Sequence, residues 1–591
     1  MPGCRRGCRP TGRSTARTSS SGTRSAPRTS RAPRTGRSCP STTPASPSSP
    51  SASSTATRRS TCPRRVGTAR RAARSRARGR SAAAMVTDAG APAVGGGFHR
   101  TLGLRDVVAQ SLSVIAPAMS GAFLTYLAST KAGGATPLAY LLGTLAMLAV
   151  GGTVALFARS LSSAGSMYTY ITRGANRGLG FLGGWCYAAA FLVLGGAVLC
   201  GFGFFTANLV ALLTGADPDW YWFSLAGLVV IALMSLYDIR ASTRTQLAIL
   251  LVTMVALLVV AVVVIAVGSP AVSVIDGTTP VDGAGTRFDP GAFWPSAAGV
   301  PWTGVLFGLS FAMLSFTGAE ASAVLSEETR DPRRAVPRAV VGSIVVAGLF
   351  YLVITYATAV GFGVRQAATD WPASVAGLAA VAPSDAVAAV VLACAALASL
   401  FCALGVHIAV SRVLFAMGRE RVLPAWLGVL HPRWGTPWRA IGLDLVVWVL
   451  LAAGAVLLTS RESQVALAGG LDDGLTGGVF VFTFLAGIGT PLVMAVYLML
   501  GVAGVAQGRR TGRTGFQVVG ALAALVGALA VFGGLYYSFA PAAPGVPIPL
   551  QTAMVPWVCL AVAAAGGAVA AWTRKRRREV WADMGQVFDE L

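Results

Sequence analysis

The sequence predicts an all-α polytopic membrane protein of twelve transmembrane helices, and three observations carry that prediction. Twelve apolar stretches of about 20 residues or more follow Met85, each enough to cross a hydrocarbon layer of ~30 Å at ~1.5 Å per residue. The loops between them alternate between arginine-rich and arginine-poor. The first and sixth stretches are both interrupted, at matching positions of two five-helix halves, as an inverted repeat requires.

Composition agrees with the class. Of 591 residues, 54% are hydrophobic and 12% charged, outside the range of soluble domains. The net charge of +25 is uneven: residues 1–84 hold 20 arginines and no lysine, aspartate or glutamate. The rest of the chain carries 28 basic against 23 acidic residues. Residues 1–84 are otherwise Ser, Thr, Pro, Ala and Gly, which bury too little apolar surface to offset chain entropy, so disorder is expected there. The leading expectation is a start assigned too far upstream, with Met85 the true one. A solvated basic tail touching anionic lipid and a nucleic-acid-binding arm stay open. A secretory signal would need an apolar segment that the tail lacks.

The expected spans, in order, are 106–129, 137–158, 179–208, 219–238, 245–268, 302–325, 338–362, 385–417, 439–459, 475–502, 516–538 and 550–572. The stretch Leu247–Val267 is typical: it has no charge and no polar face. The longer spans must tilt or protrude. Residues 85–105 form an N-terminal segment, 106–502 a ten-helix core, 503–572 two further helices, and 573–591 a basic tail. One set of loops and the C-terminal tail hold 21 lysines and arginines, among them Arg173, Arg333 and Arg419; the opposite loops hold four, Lys131, Arg287, Arg365 and Arg461. Excess basic residues mark the cytoplasmic side, so both termini are expected inside, at the plasma membrane. The long opposite loop 269–301, with Asp276, Asp282 and Asp289, is too polar to span and is expected to form a short surface helix over the entrance.

No cofactor or metal is expected. Cys186, Cys200, Cys394, Cys402 and Cys559 lie in apolar stretches, where cysteine acts as a small hydrophobe. His99, His407 and His431 lack metal-ligand spacing. There is no phosphate-binding loop and no nucleophile triad, so an enzyme or ATP-driven pump is not expected, nor a nucleic-acid partner.

The chemistry is expected at the interruptions. Pro117 follows Ser113, Val114, Ile115 and Ala116, and precedes Ala118, Met119, Ser120 and Gly121. It lacks an N–H and clashes with the preceding turn. The sixth span holds Phe316, Thr317, Gly318, Ala319 and Glu320, with Gly318 permissive for unwound backbone. Unwound backbone survives in a membrane only beside protein or a water-filled cavity. It exposes N–H groups that attract a carboxylate and carbonyls that attract an ammonium. Two such breaks face to face suit a small zwitterion. Ser113, Ile115, Ala116, Pro117, Ala118, Met119, Phe316, Thr317, Gly318, Ala319 and Glu320 are therefore the candidate substrate-binding residues. The bland alternative is a pair of kinks.

At this point the chain resembles the amino acid–polyamine–organocation superfamily of transporters. Phe316-Thr-Gly-Ala-Glu320, followed by Ser326-Glu-Glu-Thr-Arg-Asp-Pro-Arg-Arg-Ala-Val-Pro337-Arg338, is similar to the family's sixth helix and its exit. Ser163-Ala-Gly165-Ser-Met-Tyr168-Thr-Tyr170 through Gly180 and Trp185 is similar to the entry to its third helix, and Ser411-Arg412 through Arg419 to Pro424 to the exit of its eighth. The resemblance covers residues 100–510. It implies the leucine-transporter-type five-plus-five inverted repeat, with two extra helices, and a secondary transporter of amino acids or related amines working by alternating access. A polyamine or organocation transporter or exchanger, or a non-transporting sensor, is the alternative. Where the family usually carries an aromatic before the acid, this chain has Ala319; Phe316 is the substitute gate.

Three residues are coupling candidates for a proton or sodium ion: Glu320, His407 and Ser411. Glu320 is expected either to brace the unwound backbone or to carry a proton. His407 suits proton coupling by its ordinary pKa, or has a backbone partner; Ser411 shares its helix face. Arg412 and Arg419 are expected to reach the acids of the inner loop. Asp331-Pro332 is expected to cap a short loop helix. Tyr168, Tyr170 and Trp185 are expected as interfacial anchors.

Overall fold

Hydropathy of this kind leaves the backbone no partner but itself, and the computed structural model is helical accordingly. It describes residues 100–216, 218–236, 239–267, 288–371, 377–458, 460–467, 476–537 and 550–585. The expectations for residues 1–84, for His99 and for Asp276 and Asp282 fall outside them.

The longer helices are α1 (Leu104–Ile115), α2 (Thr136–Ala158), α3 (Arg177–Thr214), α4 (Trp220–Leu236), α5 (Ile239–Val267) and α6 (Trp302–Ser315). They continue as α7 (Pro332–Phe362), α8 (Asp385–Arg419), α9 (Trp438–Leu457), α10 (Thr476–Thr511), α11 (Thr514–Tyr537) and α12 (Leu550–Arg576). Among the described residues, ten helical segments are long and apolar enough to cross a membrane. The first, Leu104–Ala158, contains both expected spans 106–129 and 137–158; the expected span 219–238 corresponds to the shorter apolar helix Trp220–Ser235.

Local chemistry sets the ends. Asn176 caps α3 by accepting the Leu179 N–H at 2.9 Å, and α3 stops at Gly215 in the left-handed region. The Asp106 carboxylate accepts the Gly103 N–H at 2.8 Å at the start of α1. The expected short helix after Asp331 is not separate. Pro332 opens the 31-residue α7, which runs through Pro337, and the Asp331 side chain makes no cap bond. Proline at the first helical turn needs no N–H donor, so the helix can begin there and continue. Of the loop 269–301, the described part holds the turn Pro290–Phe293, capped by Asp289.

Helices α3, α8 and α10 span 38, 35 and 36 residues. At ~1.5 Å per residue they outrun a ~30 Å layer and must tilt or project. α3 packs on α8 and α10, α7 on α1 and α2, and α10 on α11. The last pair meets on glycines: a Cβ at Gly501 would stand 2.3 Å from the Ala524 nitrogen, and one at Gly520 2.7 Å from that of Val505. Small residues allow this backbone approach where lipid offers no hydrophobic drive between helices.

Candidate functional site

The interruption of α1 is a single left-handed residue. Ala116 takes φ 46° and ψ 62°, a costly conformation for a residue with a Cβ. Pro117 then opens a short turn to Met119, a π-helical turn follows over Ser120–Leu124, and regular helix resumes at Thr125. α6 ends at Ser315; Gly318 takes φ 101°, and a 3-10 helix covers Ala319–Leu325. Both expected breaks are therefore present, and they touch. A Cβ on Gly318 would lie 2.1 Å from Val114 Cγ1, so a glycine is required by contact as well as by φ. Ser111 binds the two segments together: its hydroxyl donates to the Ala319 carbonyl at 2.6 Å and accepts the Ser322 N–H at 3.2 Å.

The carbonyls freed by the breaks are met by side chains. The Tyr351 hydroxyl of α7 donates to Ser315 O at 2.8 Å, the last carbonyl of α6, and lies 3.4 Å from Ile115 O, the last of α1. Ser120 Oγ also donates to Ile115 O at 2.9 Å, and the Cys402 thiol to Val114 O at 3.2 Å. Tyr140 hydrogen-bonds Ser315 Oγ at 2.7 Å and packs on Tyr351 with ring centroids 5.3 Å apart. None of these tyrosines was expected from the sequence. Their one signal is a phenol placed mid-span in an apolar helix, where an O–H needs a partner.

A cavity of about 40 Å3 lies between the breaks. That is room for a few water molecules, each of which needs ~10–15 Å3 of such space. Ile115, Met119 and Thr317 of the candidate set line it, with Ser120, Phe191 and Phe482. Among the described residues its wall carries no charged side chain. Ser113 turns away and donates to Phe401 O at 2.7 Å on α8. Ala116, Pro117, Ala118, Gly318 and Ala319 form the backbone of the two breaks, behind the lining. Phe316 is fully buried edge-on against Tyr351, centroids 5.1 Å apart, and does not line the cavity. The aromatic rings at the wall are Phe191 of α3 and Phe482 of α10; spans 3, 8 and 10 were expected along the pathway, but neither residue was singled out.

Glu320 is buried, and one carboxylate oxygen accepts the Gly318 N–H at 3.2 Å and the Tyr497 hydroxyl at 2.9 Å. The phenol of Tyr187 stands beside the same group. Glu320 thus holds the break of α6 to α10. His407 is elsewhere. Its Nδ1 lies 2.5 Å from Asp444 Oδ2 on α9, both side chains sealed from solvent. Trp448 packs edge-on to the imidazole at 5.8 Å, and His407 Nε2 has no hydrogen-bond partner among the described residues. Val406, the preceding residue, lines the cavity. The signal for Asp444 was legible: a lone acid in the apolar stretch 439–459. Ser411 bonds its own helix, at Ile408 O, 3.1 Å.

The arginine-rich end is clamped by acids. Arg419 reaches both Glu327 oxygens at 2.9 and 3.0 Å, and Arg412 reaches Glu328 at 2.7 Å, as expected of them. Glu327 also accepts the Ala164 N–H at 2.8 Å, and the Glu328 carbonyl takes the Thr101 and Leu102 N–H groups at 2.9 and 3.0 Å. Tyr168 and Tyr170 are not interfacial anchors. Both are fully buried: Tyr168 donates to Glu420, and Tyr170 stacks on Phe157 at 5.6 Å. Helix packing buries both rings, and the Tyr168 O–H finds an acceptor inside the bundle instead of at the interface. Burial pushes the Glu420 carboxyl above the usual range, against the bond from Tyr168 and that from the Gly585 N–H at 3.1 Å. Trp185 is half-buried and donates to Val562 O at 2.9 Å. The five described cysteines are free and buried, and no cluster of metal-ligating side chains occurs among the described residues.

Residues 102–565 match a family model described as amino acid permease. The chain is similar to the low-affinity putrescine importer PlaP of Escherichia coli K12, 27% identical over 395 residues, 66% of this chain and 79% of the relative. It is also similar to the branched-chain amino acid permease BcaP of Lactococcus lactis subsp. cremoris, 28% identical over 392 residues, 63% of this chain and 79% of the relative. An uncharacterised transporter of Mycobacterium tuberculosis, Rv1999c, is 30% identical over 225 residues, 34% of this chain and 50% of the relative.

Proposed function

Because the chain belongs to the amino acid permease family, and is a transporter of amino acids or amines, we propose that its cargo is a neutral amino acid with an apolar side chain, bound between the breaks of α1 and α6. The observation that carries this is the cavity wall, which is apolar apart from Ser120, Thr317 and Cys402 and has no charged side chain. A zwitterion can be held there by backbone poles: N–H groups after Pro117 for its carboxylate and, for its ammonium, the Ile115 and Ser315 carbonyls once the Tyr351 and Ser120 hydroxyls that fill them give way. The second amine of a diamine would need a carboxylate; none lines the cavity among the described residues, and Glu320, behind the break, has one oxygen taken by the Gly318 N–H and Tyr497. Similarity to a putrescine importer, with Glu320 just behind the break, favours the diamine as the second reading.

A 40 Å3 cavity is too small for any amino acid, which supports a closed conformer that must open by movement of the α1 and α6 halves. We place twelve spans across the plasma membrane, ten in a five-plus-five inverted repeat and two beyond it, with both termini cytoplasmic; the uneven loop arginines support this orientation. Glu320 is the brace of the α6 break, and the His407–Asp444 pair, one residue from the cavity-lining Val406, is the site of proton coupling.

The test is uptake of labelled leucine, valine and putrescine into proteoliposomes of the full chain, with and without an inward proton gradient. Gradient-stimulated leucine or valine uptake is expected. Putrescine uptake alone would overturn the cargo, and no flux of any of the three would sink the site.

A further inference from the structure

A cavity of about 500 Å3 opens at the arginine-rich end, where three helices meet. Arg159 follows α2, Arg333 sits in the first turn of α7, and Arg513 closes the α10–α11 connection. All three line the cavity, and among the described residues no carboxylate does. Asp331, close by in sequence, lies 3.9 Å from Arg334. Three like charges around one concavity draw in an anion and bind phosphate oxygens well.

The other wall is apolar. Leu156 and Phe516 line it, and Phe516 is buried edge-on to Phe157 at 5.2 Å. On the opposite face of α11 from Phe516, and in register with the cavity-lining Gly515, runs a stripe of exposed side chains: Val518, Leu522, Leu525, Leu529 and Phe532. Their spacing of three and four residues puts them on one helix face, running from the arginines along the apolar segment Thr514–Tyr536. A guanidinium-lined mouth at the head of such a stripe matches a ligand with an anionic head and a long apolar tail. A second cavity at this end, of about 520 Å3 with Arg173, Arg177 and Arg574, differs. There Arg177 donates to Ala582 O at 2.6 Å, and Met584 of the chain's own C-terminal segment lines the space.

We infer that the cavity between α2, α7 and α11 is a binding site for an anionic phospholipid, its phosphate held by Arg159, Arg333 and Arg513 and an acyl chain lying along the Val518–Phe532 stripe. Basic pockets between helices on the cytoplasmic side are where such headgroups dock.

Native mass spectrometry of the full chain, loaded with phosphatidylglycerol or phosphatidylcholine of equal chain length, tests this. Phosphatidylglycerol is expected to stay bound at collision energies that strip phosphatidylcholine. The triple variant Arg159→Ala, Arg333→Ala, Arg513→Ala should lose about tenfold or more in phosphatidylglycerol affinity. The triple lysine variant should keep much of it, and Arg433→Ala, an exposed arginine outside the cavity, should change nothing. Leu522→Ser with Leu525→Ser should weaken the lipid. Equal retention of both lipids, or undiminished phosphatidylglycerol on a folded triple alanine variant, overturns the site. If the alanine variant does not fold, loss of selectivity in the lysine variant overturns it instead. Displacement of the lipid by millimolar inorganic phosphate, with no effect of the serine variants, makes it a free-anion site and overturns the lipid assignment.

Discussion

The Nδ1 of His407 on α8 lies 2.5 Å from the Asp444 Oδ2 on α9, an ionisable pair sealed inside an apolar helix bundle. Removing one member of a buried pair leaves the other uncompensated, at a cost of ~3–5 kcal/mol. Asp444→Ala should therefore purify poorly. Asp444→Asn and His407→Gln keep a hydrogen bond and should fold. In both, stimulation of uptake by an inward proton gradient should vanish while exchange of internal for external substrate persists. Gradient stimulation equal to that of the unmodified protein would remove the pair from coupling.

Tyr351 joins the broken ends of α1 and α6 through one hydroxyl. Tyr351→Phe keeps the ring against Tyr140 and Phe316 and leaves Ser315 O without that donor. A buried acceptor left unpaired costs ~1–3 kcal/mol, so the melting temperature in detergent should fall by a few degrees. The apparent KM for substrate should change more than the maximal rate. An unchanged melting temperature and KM would show the hydroxyl idle.

Gly318→Ala places a methyl 2.1 Å from Val114 Cγ1 at φ 101°. The two breaks must separate, and uptake should drop by about tenfold or more, the rate equivalent of ~1.4 kcal/mol. Adding Val114→Ala removes the nearest contact and should restore part of the activity, because the strain in φ stays. Full activity of the single variant would mean that the two breaks do not need to touch.

Glu320 accepts the Gly318 N–H and the Tyr497 hydroxyl, as a brace does. Glu320→Gln retains an acceptor. It should lower stability by ~1–2 kcal/mol yet keep gradient-stimulated uptake. Loss of the gradient response with a normal melting temperature would move the proton to Glu320.

Burial raises the Glu420 carboxyl, outside the spans, above its usual range. The folded state then binds a proton more readily than the unfolded chain. Its stabilising contribution is full below the ordinary carboxylate pKa and is lost as pH rises through the raised one. The melting temperature should fall over that window, and Glu420→Gln should flatten the slope. A Glu420→Gln curve parallel to the original would exclude this residue as the cause.

The helical class and the two breaks were legible in the sequence because their causes are local. A run of apolar residues forces the backbone to bond itself. Pro117 withholds one N–H, and Gly318 permits a φ of 101° that few residues adopt. The acids after α6 and the arginines in the last turns of α8 were paired from the sequence because both crowd the same end. What faces the breaks was not legible. Tyr140, Tyr351 and Tyr497 resemble any helical tyrosine until packing brings their hydroxyls to the Ser315 hydroxyl, the freed Ser315 carbonyl and Glu320, across 175, 36 and 177 residues of sequence. Phe316 was expected at the cavity and is buried against Tyr351, while Phe191 and Phe482 reach the wall from other helices. Asp444 was visible as a lone acid but could not be matched to His407, because the pairing depends on how α9 lies against α8. Hydropathy and backbone permissiveness act within a turn or two of the chain. Which polar group satisfies which is decided by helix packing, since in an apolar interior each one takes whatever partner the packing brings within ~3 Å.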